Sequence, residues 1–397
     1  MSQDITQKRA LNRIRARLDA TFLSPEMQAF PSVFFIGVSS ICDISCPYCP
    51  RQYYCQDVDQ GVMDFDDFMK IAPFFEYAEE TNIFGLGEPF LHPRFFDFLS
   101  EAKKRGVKVS TSTHGMSLTP ANREELIKLE VDEISVSVDA ADKKTFEFLR
   151  KGADFETVIS NIENLQKEKK QQGKSIPSVS IATAVSIHNV TQMKKIVSLA
   201  SNLGADRIVF TDLIIVDPEN SSLSVSKTNL FEEKLISAIR EGEKKGVEAL
   251  YFFQNPFPWK EDPLPELIKE PEGYFCADPW KMCILDRTGR MQPCCYYPPK
   301  TGNPFEHTLP DVLNNEENMS LRRNLLKGNL PDCCINCGML QKRSAASSME
   351  QINNAEELLH EYHKSNIIND EDVDKLNHMI NEYKKLHEKF FNQNQDK

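Results

Sequence analysis

The chain has 397 residues, a formal net charge of −12 and a pI near 5.3. This acidic balance argues against a nucleic-acid or anionic-membrane partner, because both favour a basic surface. No apolar run approaches the roughly 18 residues that a bilayer crossing needs, and the N-terminus lacks the apolar core of a signal peptide. We therefore expect a cytoplasmic protein with no membrane partner, built from one large domain and a smaller one.

The N-terminal two thirds of the chain predict a repeating β/α pattern. A helix at 5–18 and a proline-containing linker come first, and short apolar runs then alternate with amphipathic stretches. Strands are predicted at 33–38, 82–85, 107–113, 133–139, 179–185, 207–213 and 249–253. Helices are predicted at 64–77, 94–104, 120–128, 143–149, 155–171, 190–203 and 231–245. Six or seven such repeats predict an α/β fold with a parallel sheet that closes wholly or partly into a barrel.

The remaining third changes character twice. A proline-rich bridge follows the last predicted strand, a cysteine-rich segment follows the bridge, and a highly charged tail ends the sequence. Apolar residues in the tail recur at helical spacing, which predicts two amphipathic helices joined around 366–370 that pack on the domain. We divide the chain into an N-terminal helix and linker, a barrel, a cysteine-rich domain and a helical extension, at 1–30, 31–255, 256–345 and 346–397.

The eleven cysteines fall into two groups. Four lie between Cys42 and Cys55, seven lie between Cys276 and Cys337, and none lies in the 220 residues that separate the groups. Disulfides are rare in a reducing compartment, so this clustering predicts two metal or cluster sites rather than structural bridges.

The first group is a closely spaced triplet directly after the first predicted strand, so its thiols lie on a loop at the strand's carboxyl end. Cys42, Cys46 and Cys49 can hold three irons of a four-iron cluster and leave the fourth iron open to a non-protein ligand. A zinc site is the alternative, because Cys55 could serve as a fourth thiolate.

The triplet resembles the CxxxCxxC motif of the radical S-adenosylmethionine (SAM) enzymes, in which an aromatic residue, here Tyr48, usually precedes the last cysteine. The segment FGLGEP at 84–89 is similar to the family's Gly-Gly-Glu-Pro segment, with Leu86 where a glycine is usual. The segment SVD at 137–139 resembles the family's ribose-contacting segment. THG at 113–115 is similar to its Thr-Asn-Gly segment, with His114 in place of the asparagine.

This resemblance implies a partial (β/α)6 barrel with chemistry at the carboxyl ends of its strands. It implies a [4Fe–4S] cluster on Cys42, Cys46 and Cys49 whose open iron binds SAM, and reductive cleavage of SAM to a 5′-deoxyadenosyl radical. It also implies the SAM contacts, which are Tyr48 at the adenine, Gly87 and Glu88 at the methionyl amino group, and Ser137 and Asp139 at the ribose. We expect His114 to support these residues through hydrogen bonds.

The second cysteine group resembles a twitch domain, which is a shortened SPASM domain. Cys276, Gly289 and Cys294 have the spacing of its opening, and Cys334 and Cys337 form its closing CxxC. Four thiolates can fill every position of one auxiliary [4Fe–4S] cluster, which would then transfer electrons rather than bind substrate. A four-cysteine zinc ribbon uses the same ligands and is the alternative.

Four thiols have no assigned role: Cys55, Cys283, Cys295 and Cys333. One interpretation makes Cys283 or Cys295 the donor of a hydrogen atom to a substrate radical, as in radical epimerases. The other is that they are buried thiols or spare neighbours of true ligands.

Together these features predict a radical SAM oxidoreductase that abstracts a hydrogen atom from a small biosynthetic metabolite, which it oxidises, epimerises or rearranges. A flavodoxin or ferredoxin would supply electrons. The alternative is an enzyme that modifies ribosomally made peptides. We expect the metabolite, because about 30 residues before the first strand are too few for a leader-peptide recognition domain. A zinc-stabilised scaffold protein is the alternative of another class.

Overall fold

The computed structural model describes residues 3–22, 24–51, 60–213, 222–225, 228–252, 274–295, 297–298, 301–326, 329–335, 337, 340–342 and 345–392. Cys55 and the predicted boundary at 255/256 lie outside these residues.

Eleven strands and fourteen α-helices occur in the described residues. The strands are β1 Val33–Ser39, β2 Glu80–Gly85, β3 Lys108–Thr113, β4 Glu133–Ser137, β5 Ser178–Val185, β6 Arg207–Asp212, β7 Glu248–Phe252, β8 Tyr274–Phe275, β9 Met282–Leu285, β10 Met291–Gln292 and β11 Gln341–Lys342. The helices are α1 Gln3–Phe22, α2 Phe65–Ile71, α3 Phe95–Lys104, α4 Pro120–Lys128, α5 Lys143–Leu149, α6 Phe155–Gln171, α7 Met193–Asn202, α8 Asn229–Lys245, α9 Asp278–Lys281, α10 Leu309–Leu313, α11 Glu316–Leu326, α12 Asp332–Ile335, α13 Ala345–Lys364 and α14 Asp370–Asn392.

The main sheet has nine strands in the order β10-β9-β1-β2-β3-β4-β5-β6-β7. All neighbours are parallel except β9 and β10, which are antiparallel. Strands β1 to β7 follow the chain, and in the described residues the outer strands β10 and β7 do not pair with each other. The predicted α/β class and partial barrel are confirmed.

The two faces of the sheet differ in chemistry because side chains alternate along each strand. On β3, Val109, Thr111 and Thr113 are buried, and the same alternation places Ile134 and Val136 of β4 in the core. The opposite face carries partly exposed small hydroxyl side chains at Ser110, Ser112, Ser135 and Ser137.

The cysteine-rich segment is continuous with the barrel sheet. Strand β9 pairs in parallel with β1, with Val33 opposite Met282 and Ile36 opposite Leu285. The turn from β9 into β10 contains Gly289, whose φ is +83° and whose Cβ, if present, would lie 2.1 Å from Asn303 Oδ1. The predicted barrel and cysteine-rich domain therefore share one sheet.

The two predicted tail helices are present as α13 and α14, and they pack against α1. Their shared apolar core is formed by Ala10, Ile14, Leu18, Ile352, Ala355, Leu359, Tyr362, Ile368, Leu376 and Ile380. Helix α1 is fixed to the barrel through Arg9, whose guanidinium donates to the carbonyls of Phe75, Arg105 and Gly106. No described helix combines the length and apolar character that a bilayer crossing requires.

Candidate functional site

The loop that carries the first three cysteines leaves the carboxyl end of β1 and is anchored at several points. Ser40 N–H donates to the Gly61 carbonyl at 3.0 Å, and Ser45 N–H donates to the Lys151 carbonyl at 2.8 Å. Ile44, between the first two cysteines, is buried in the core. The loop is therefore held just before the triplet and between its first two cysteines.

The three thiols of this loop are partly buried and face one another. Cys46 interacts electrostatically with both Cys42 and Cys49. Burial raises the pKa of Cys42 and of Cys46, so each thiol is hard to ionise until a positive partner binds it.

The donor atoms around the triplet are arranged in the following way. Among the described residues, one set of three ligand-type side chains has donor atoms all within 4.8 Å of one another, namely Cys42, Asp43 and His114. The hydrogen bond between Asp43 and His114 accounts for that set. The three thiols are not such a set, so at least one pair of their sulfurs is more than 4.8 Å apart in this structure.

A partly buried cation, Arg150, lies beside the triplet. Arg150 Nε donates to Asp139 Oδ2 at 2.5 Å and interacts with the thiols of Cys46 and Cys49. Burial lowers the pKa of Arg150, but the Asp139 carboxylate and the Cys46 thiol outweigh it and the net shift is upward. Sequence reasoning missed Arg150, since a single arginine after a helix belongs to no recognisable motif.

Glu88 is the most enclosed carboxylate near the triplet, with 1% of its surface exposed. Thr113 Oγ1 donates to its Oε1 at 2.6 Å, and His114 N–H donates to its Oε2 at 3.0 Å. Burial raises the pKa of Glu88, while the nearby His114 and these donors act against that shift. The backbone N–H of Glu88 donates to the Ile41 carbonyl at 2.7 Å, and this bond ties the residue to the cysteine loop.

The His114 ring connects Glu88 to the cysteine loop. Its Nε2 lies 2.8 Å from Asp43 Oδ1 and 3.3 Å from Glu88 Oε2, and its Nδ1 accepts from Met116 N–H at 3.1 Å. These partners assign the proton of a neutral ring to Nε2. The histidine therefore has the expected supporting position behind Glu88.

Gly85 and Gly87 are explained by contact with the cysteine loop. A Cβ on Gly85 would lie 2.3 Å from the Ser39 carbonyl oxygen, and one on Gly87 would lie 2.1 Å from that of Ile41. Both glycines therefore allow close packing of their backbone on the cysteine loop, and the contact of Gly87 with SAM stays a prediction. Leu86 lies between them with 40% of its surface exposed, so its side chain disturbs neither contact.

The two residues predicted to contact ribose differ in their surroundings. Ser137 is half-buried at the end of β4, on the hydroxyl-bearing face of the sheet. Asp139 lies two residues beyond, and Ala184 N–H donates to its Oδ1 at 2.8 Å while Arg150 holds its other oxygen. Asp139 is thus a fixed carboxylate next to the triplet, and its contact with SAM remains a prediction.

Tyr48 belongs to an aromatic group that the sequence did not reveal. Its ring stacks on His188 with centroids 6.1 Å apart and planes 8° apart, and Phe148 meets His188 edge-on at 5.0 Å. Leu213 and Leu223 pack against Tyr48. The group joins the cysteine loop to helix α5 and to the loop after β5, a long-range arrangement with no local signal.

The second site is a pocket of about 410 Å³, open solvent included, at the cysteine-rich domain. The four predicted ligands line it together, and Cys333 is a fifth thiol. The full lining is Cys276, Asp278, Pro279, Cys294, Tyr297, Leu321, Leu325, Cys333, Cys334, Cys337 and Leu340. No lysine or arginine is among these described residues.

One carboxyl group, Asp278, lines the second pocket, and the charge of Lys281 acts on it. Burial raises the pKa of Asp278, and burial together with the Asp278 charge raises that of Cys276. The pKa of Cys334 is raised first by its contact with the Cys333 thiol, at 3.9 Å between sulfurs, and then by burial.

The two proposed hydrogen donors lie apart from the barrel mouth. Cys283 is on β9 opposite Phe34, and none of its surface is exposed. A thiol enclosed in the core cannot meet a substrate, so we assign Cys283 to packing. Cys295 is exposed and interacts with Asp278 and Cys337, which places it beside the second pocket.

The two cysteine sites are physically connected. Arg287, in the turn between β9 and β10, donates from Nε to Ser40 Oγ at 3.2 Å and packs against Gly61. Ser40 lies two residues before Cys42. The cysteine-rich domain therefore contacts the first cysteine loop through both the β1–β9 pairing and this side chain.

Comparison with protein families identifies both regions. A family model for the radical SAM superfamily matches residues 36–200, and one for the iron–sulfur cluster-binding SPASM domain matches residues 276–338. The first domain implies a [4Fe–4S] cluster and SAM, and the second implies auxiliary iron–sulfur binding. The thiol-rich donor sets of the two sites fit these groups.

Three relatives illustrate the range of similar sequences. The tungsten-containing aldehyde ferredoxin oxidoreductase cofactor-modifying protein of Pyrococcus furiosus is 31% identical over 192 residues, which are 47% of this chain and 52% of that protein. The AdoMet-dependent heme synthase of Methanosarcina barkeri is 26% identical over 290 residues, covering 70% and 80%. The PqqA peptide cyclase of Streptomyces rochei is 25% identical over 184 residues, covering 45% and 47%. The chain thus spans about half the length of two of these three proteins.

Solved structures show the same fold at low sequence identity. Streptococcus suis SuiB bound to the precursor peptide SuiA is 17% identical, covers 73% of this chain and 66% of that chain, and gives a TM-score of 0.55. Native anSMEcpe with bound AdoMet and the Cp18Cys peptide is 15% identical, covers 88% and 100%, and gives 0.54.

Proposed function

The chain belongs to the radical SAM superfamily, and from this premise we propose that it is an enzyme that removes a hydrogen atom from a peptide substrate. The observation that carries the proposal is the packing of Glu88 and its hydrogen-bond donors directly against the cysteine loop. This arrangement places a fixed anion next to three thiols, as the binding of an amino acid at a cluster requires.

Cys42, Cys46 and Cys49 would hold the first cluster, and Cys276, Cys294, Cys334 and Cys337 the auxiliary one. When bound, the first cluster and SAM supply one-electron chemistry able to remove a hydrogen atom from an unactivated carbon.

Glu88 binds the methionyl ammonium group in this proposal. Thr113 and His114 each donate to one of its oxygens, which fixes the direction of the remaining lone pairs. Because Glu88 is buried, a charge-assisted hydrogen bond to it is strong, and an unpaired ammonium or carboxylate there would be costly.

Arg150 and Asp139 form the second element of the site. The pair is largely buried, and the raised pKa of Arg150 keeps its guanidinium charged beside Cys46 and Cys49. Its positive charge offsets the negative charge that accumulates on bound thiolates. Asp139, held from two sides, and Ser137 are positioned to meet polar groups of the bound cofactor.

The aromatic group of Tyr48, Phe148 and His188 would exclude water from the site and provide a flat apolar surface for the adenine. Phe148 has half of its surface exposed, as does Ile187 beside His188.

The peptide substrate is supported by both surface chemistry and relatives. A peptide offers amide groups to the hydroxyls of Ser110, Ser112, Ser135 and Ser137, and apolar side chains to the mouth. The Streptomyces rochei relative is a peptide cyclase, and two structures of this fold contain peptides. These findings favour a peptide over the metabolite that the sequence suggested.

A small molecule is the second candidate because of one specific observation. The match to the AdoMet-dependent heme synthase covers 70% of this chain, whereas the peptide cyclase match covers 45%. In either case the auxiliary cluster would take up the electron left on the substrate, and a flavodoxin or ferredoxin would reduce the first cluster.

The test has two stages. Anaerobically reconstituted protein with dithionite and SAM should release 5′-deoxyadenosine, and no release would contradict the enzyme class. Co-expression with a short peptide encoded beside the gene should then give a mass change in that peptide, such as the loss of two hydrogens. An unmodified peptide, together with turnover of a small molecule from the same cells, would favour the second candidate.

A further inference from the structure

The auxiliary pocket contains more thiols than one cluster can use. Five cysteines line it, whereas a four-iron cluster has four positions for protein ligands. Three of the five come from separate places in the chain, at Cys276, Cys294 and Cys337. The surplus lies in the remaining two, Cys333 and Cys334, which are consecutive on α12.

The distance between these two sulfurs indicates that they reach the same place. Cys333 Sγ and Cys334 Sγ are 3.9 Å apart. Two thiolates on one tetrahedral metal with bonds of about 2.3 Å lie about 3.8 Å apart. The observed separation is therefore short enough for both sulfurs to reach one metal position, and one iron of the cluster takes only one of them.

The local backbone holds both thiols at the pocket. Cys334 N–H donates to the Pro331 carbonyl at 2.8 Å, and Cys337 N–H donates to the Cys334 carbonyl at 3.1 Å. These bonds fix the turn that carries α12, so small side-chain rotations suffice to exchange the two sulfurs.

We infer that Cys333 and Cys334 are interchangeable ligands for one iron of the auxiliary cluster. The inference rests on the proposed function, because it assumes that a cluster occupies this pocket. In the exchange, one iron–sulfur bond breaks as the other forms, and the proton of the incoming thiol passes to the outgoing sulfur. The charge of the cluster is unchanged, and no oxidant or reductant is needed.

The experiment uses the full chain with Cys42, Cys46 and Cys49 replaced by alanine, so that all iron reports on the auxiliary site. In this parent we compare Cys333→Ala, Cys334→Ala and the double variant, with Cys283→Ala as a control thiol in the core. Iron and sulfide are counted after anaerobic reconstitution. The parent, the control and both single variants should retain about four irons per chain, and the double variant should lose them.

A second measurement does not require the double variant to fold: the reconstituted proteins are alkylated, and the modified cysteines are identified by mass spectrometry. In the parent, one of the two thiols, Cys333 or Cys334, should be alkylated. In each single variant, the remaining thiol should be protected from alkylation because it binds iron. Loss of iron in Cys334→Ala alone, or alkylation of Cys333 in that variant, would overturn the inference. A parent without iron would instead count against the proposed auxiliary cluster itself.

Discussion

The two cysteine sites lie on one sheet but differ in charge and in ligand supply. The triplet has three thiols, a partly buried Arg150 and a carboxylate, Glu88, oriented by two donors. The auxiliary pocket has five thiols, apolar walls and a partly buried Asp278, with no lysine or arginine among its described lining residues. In the proposed function, the first site would leave one cluster position open for a charged ligand, and the second would close every position.

The charges near the two sites should also affect how easily a bound cluster is reduced. A nearby cation favours the reduced, more negative state of a cluster, and a nearby anion disfavours it. Arg150 should therefore make the first cluster easier to reduce, whereas the described lining of the auxiliary pocket offers no such cation.

The largest effect should come from removing the triplet. Replacing Cys42, Cys46 and Cys49 together with alanine should abolish SAM cleavage, because no thiolates remain to hold the first cluster. Iron per chain should fall by about four and leave the auxiliary cluster in place. Iron analysis and 5′-deoxyadenosine assays check this. If the variant still cleaved SAM, the triplet would not be the site of SAM cleavage.

Glu88→Gln should weaken SAM binding about 10- to 100-fold. The amide carries no negative charge, so the charge-assisted hydrogen bond from the methionyl ammonium is lost, and hydrogen bonds to charged groups are worth about 1.5–3 kcal/mol. The matched control is Glu80→Gln, an exposed residue at the start of β2, the strand that precedes Glu88. Equilibrium binding of SAM to the reconstituted protein measures both variants, and equal affinities would contradict the assigned role.

Arg150→Gln should make the reduction potential of the first cluster more negative and slow SAM cleavage several-fold, whereas Arg150→Lys should stay closer to the wild type because it keeps the charge. The auxiliary potential should not move. The control is Arg240→Gln, which is exposed on α8. Redox titration followed by electron paramagnetic resonance (EPR) separates the clusters, and identical shifts in the glutamine and lysine variants would show that charge is not the cause.

Replacement of Asp19 should have the smallest effect on catalysis, but it should change how the stability of the fold depends on pH. This residue is fully buried near Arg322 of α11, the helix that also supplies Leu321 and Leu325 to the auxiliary pocket. Burial raises the pKa of Asp19 from 3.8 to about 6. Between these values the folded state binds more protons than the unfolded state, so the free energy of unfolding falls as pH rises.

Asp19→Asn should remove that pH dependence. Between pH 3.5 and pH 7, the free energy of unfolding of the wild type should fall by about 3 kcal/mol relative to that of the variant. Urea unfolding across this range measures it, with Asp4→Asn, exposed on the same helix, as the control. Parallel curves for wild type and Asp19→Asn would contradict the raised pKa.

Much of the barrel could be predicted from the sequence, because its elements are encoded locally. The runs that predict strands at 133–139 and 207–213 correspond to β4 and β6, and the predicted helix at 155–171 coincides with α6. Alternating burial and N-terminal caps such as Asp154 leave a signal in a short window of residues.

The parts that could not be predicted depend on contacts between distant residues. The pairing of β9 with β1 and the packing of α13 and α14 on α1 join opposite ends of the chain, and no local pattern specifies them. The same holds within the sites. The sequence named Glu88 and the cysteines by their motifs, but Arg150, His188 and the orientation of Cys333 become visible only when the loops are brought together.

Metal analysis of the anaerobically reconstituted wild-type protein, combined with EPR before and after the addition of SAM, tests the central claim most directly. The account predicts about eight irons and eight sulfides per chain, with a signal from one cluster that changes when SAM binds and a second signal that does not. Zinc without sulfide would contradict it. Two cluster signals that both stay unchanged when SAM is added would also contradict it.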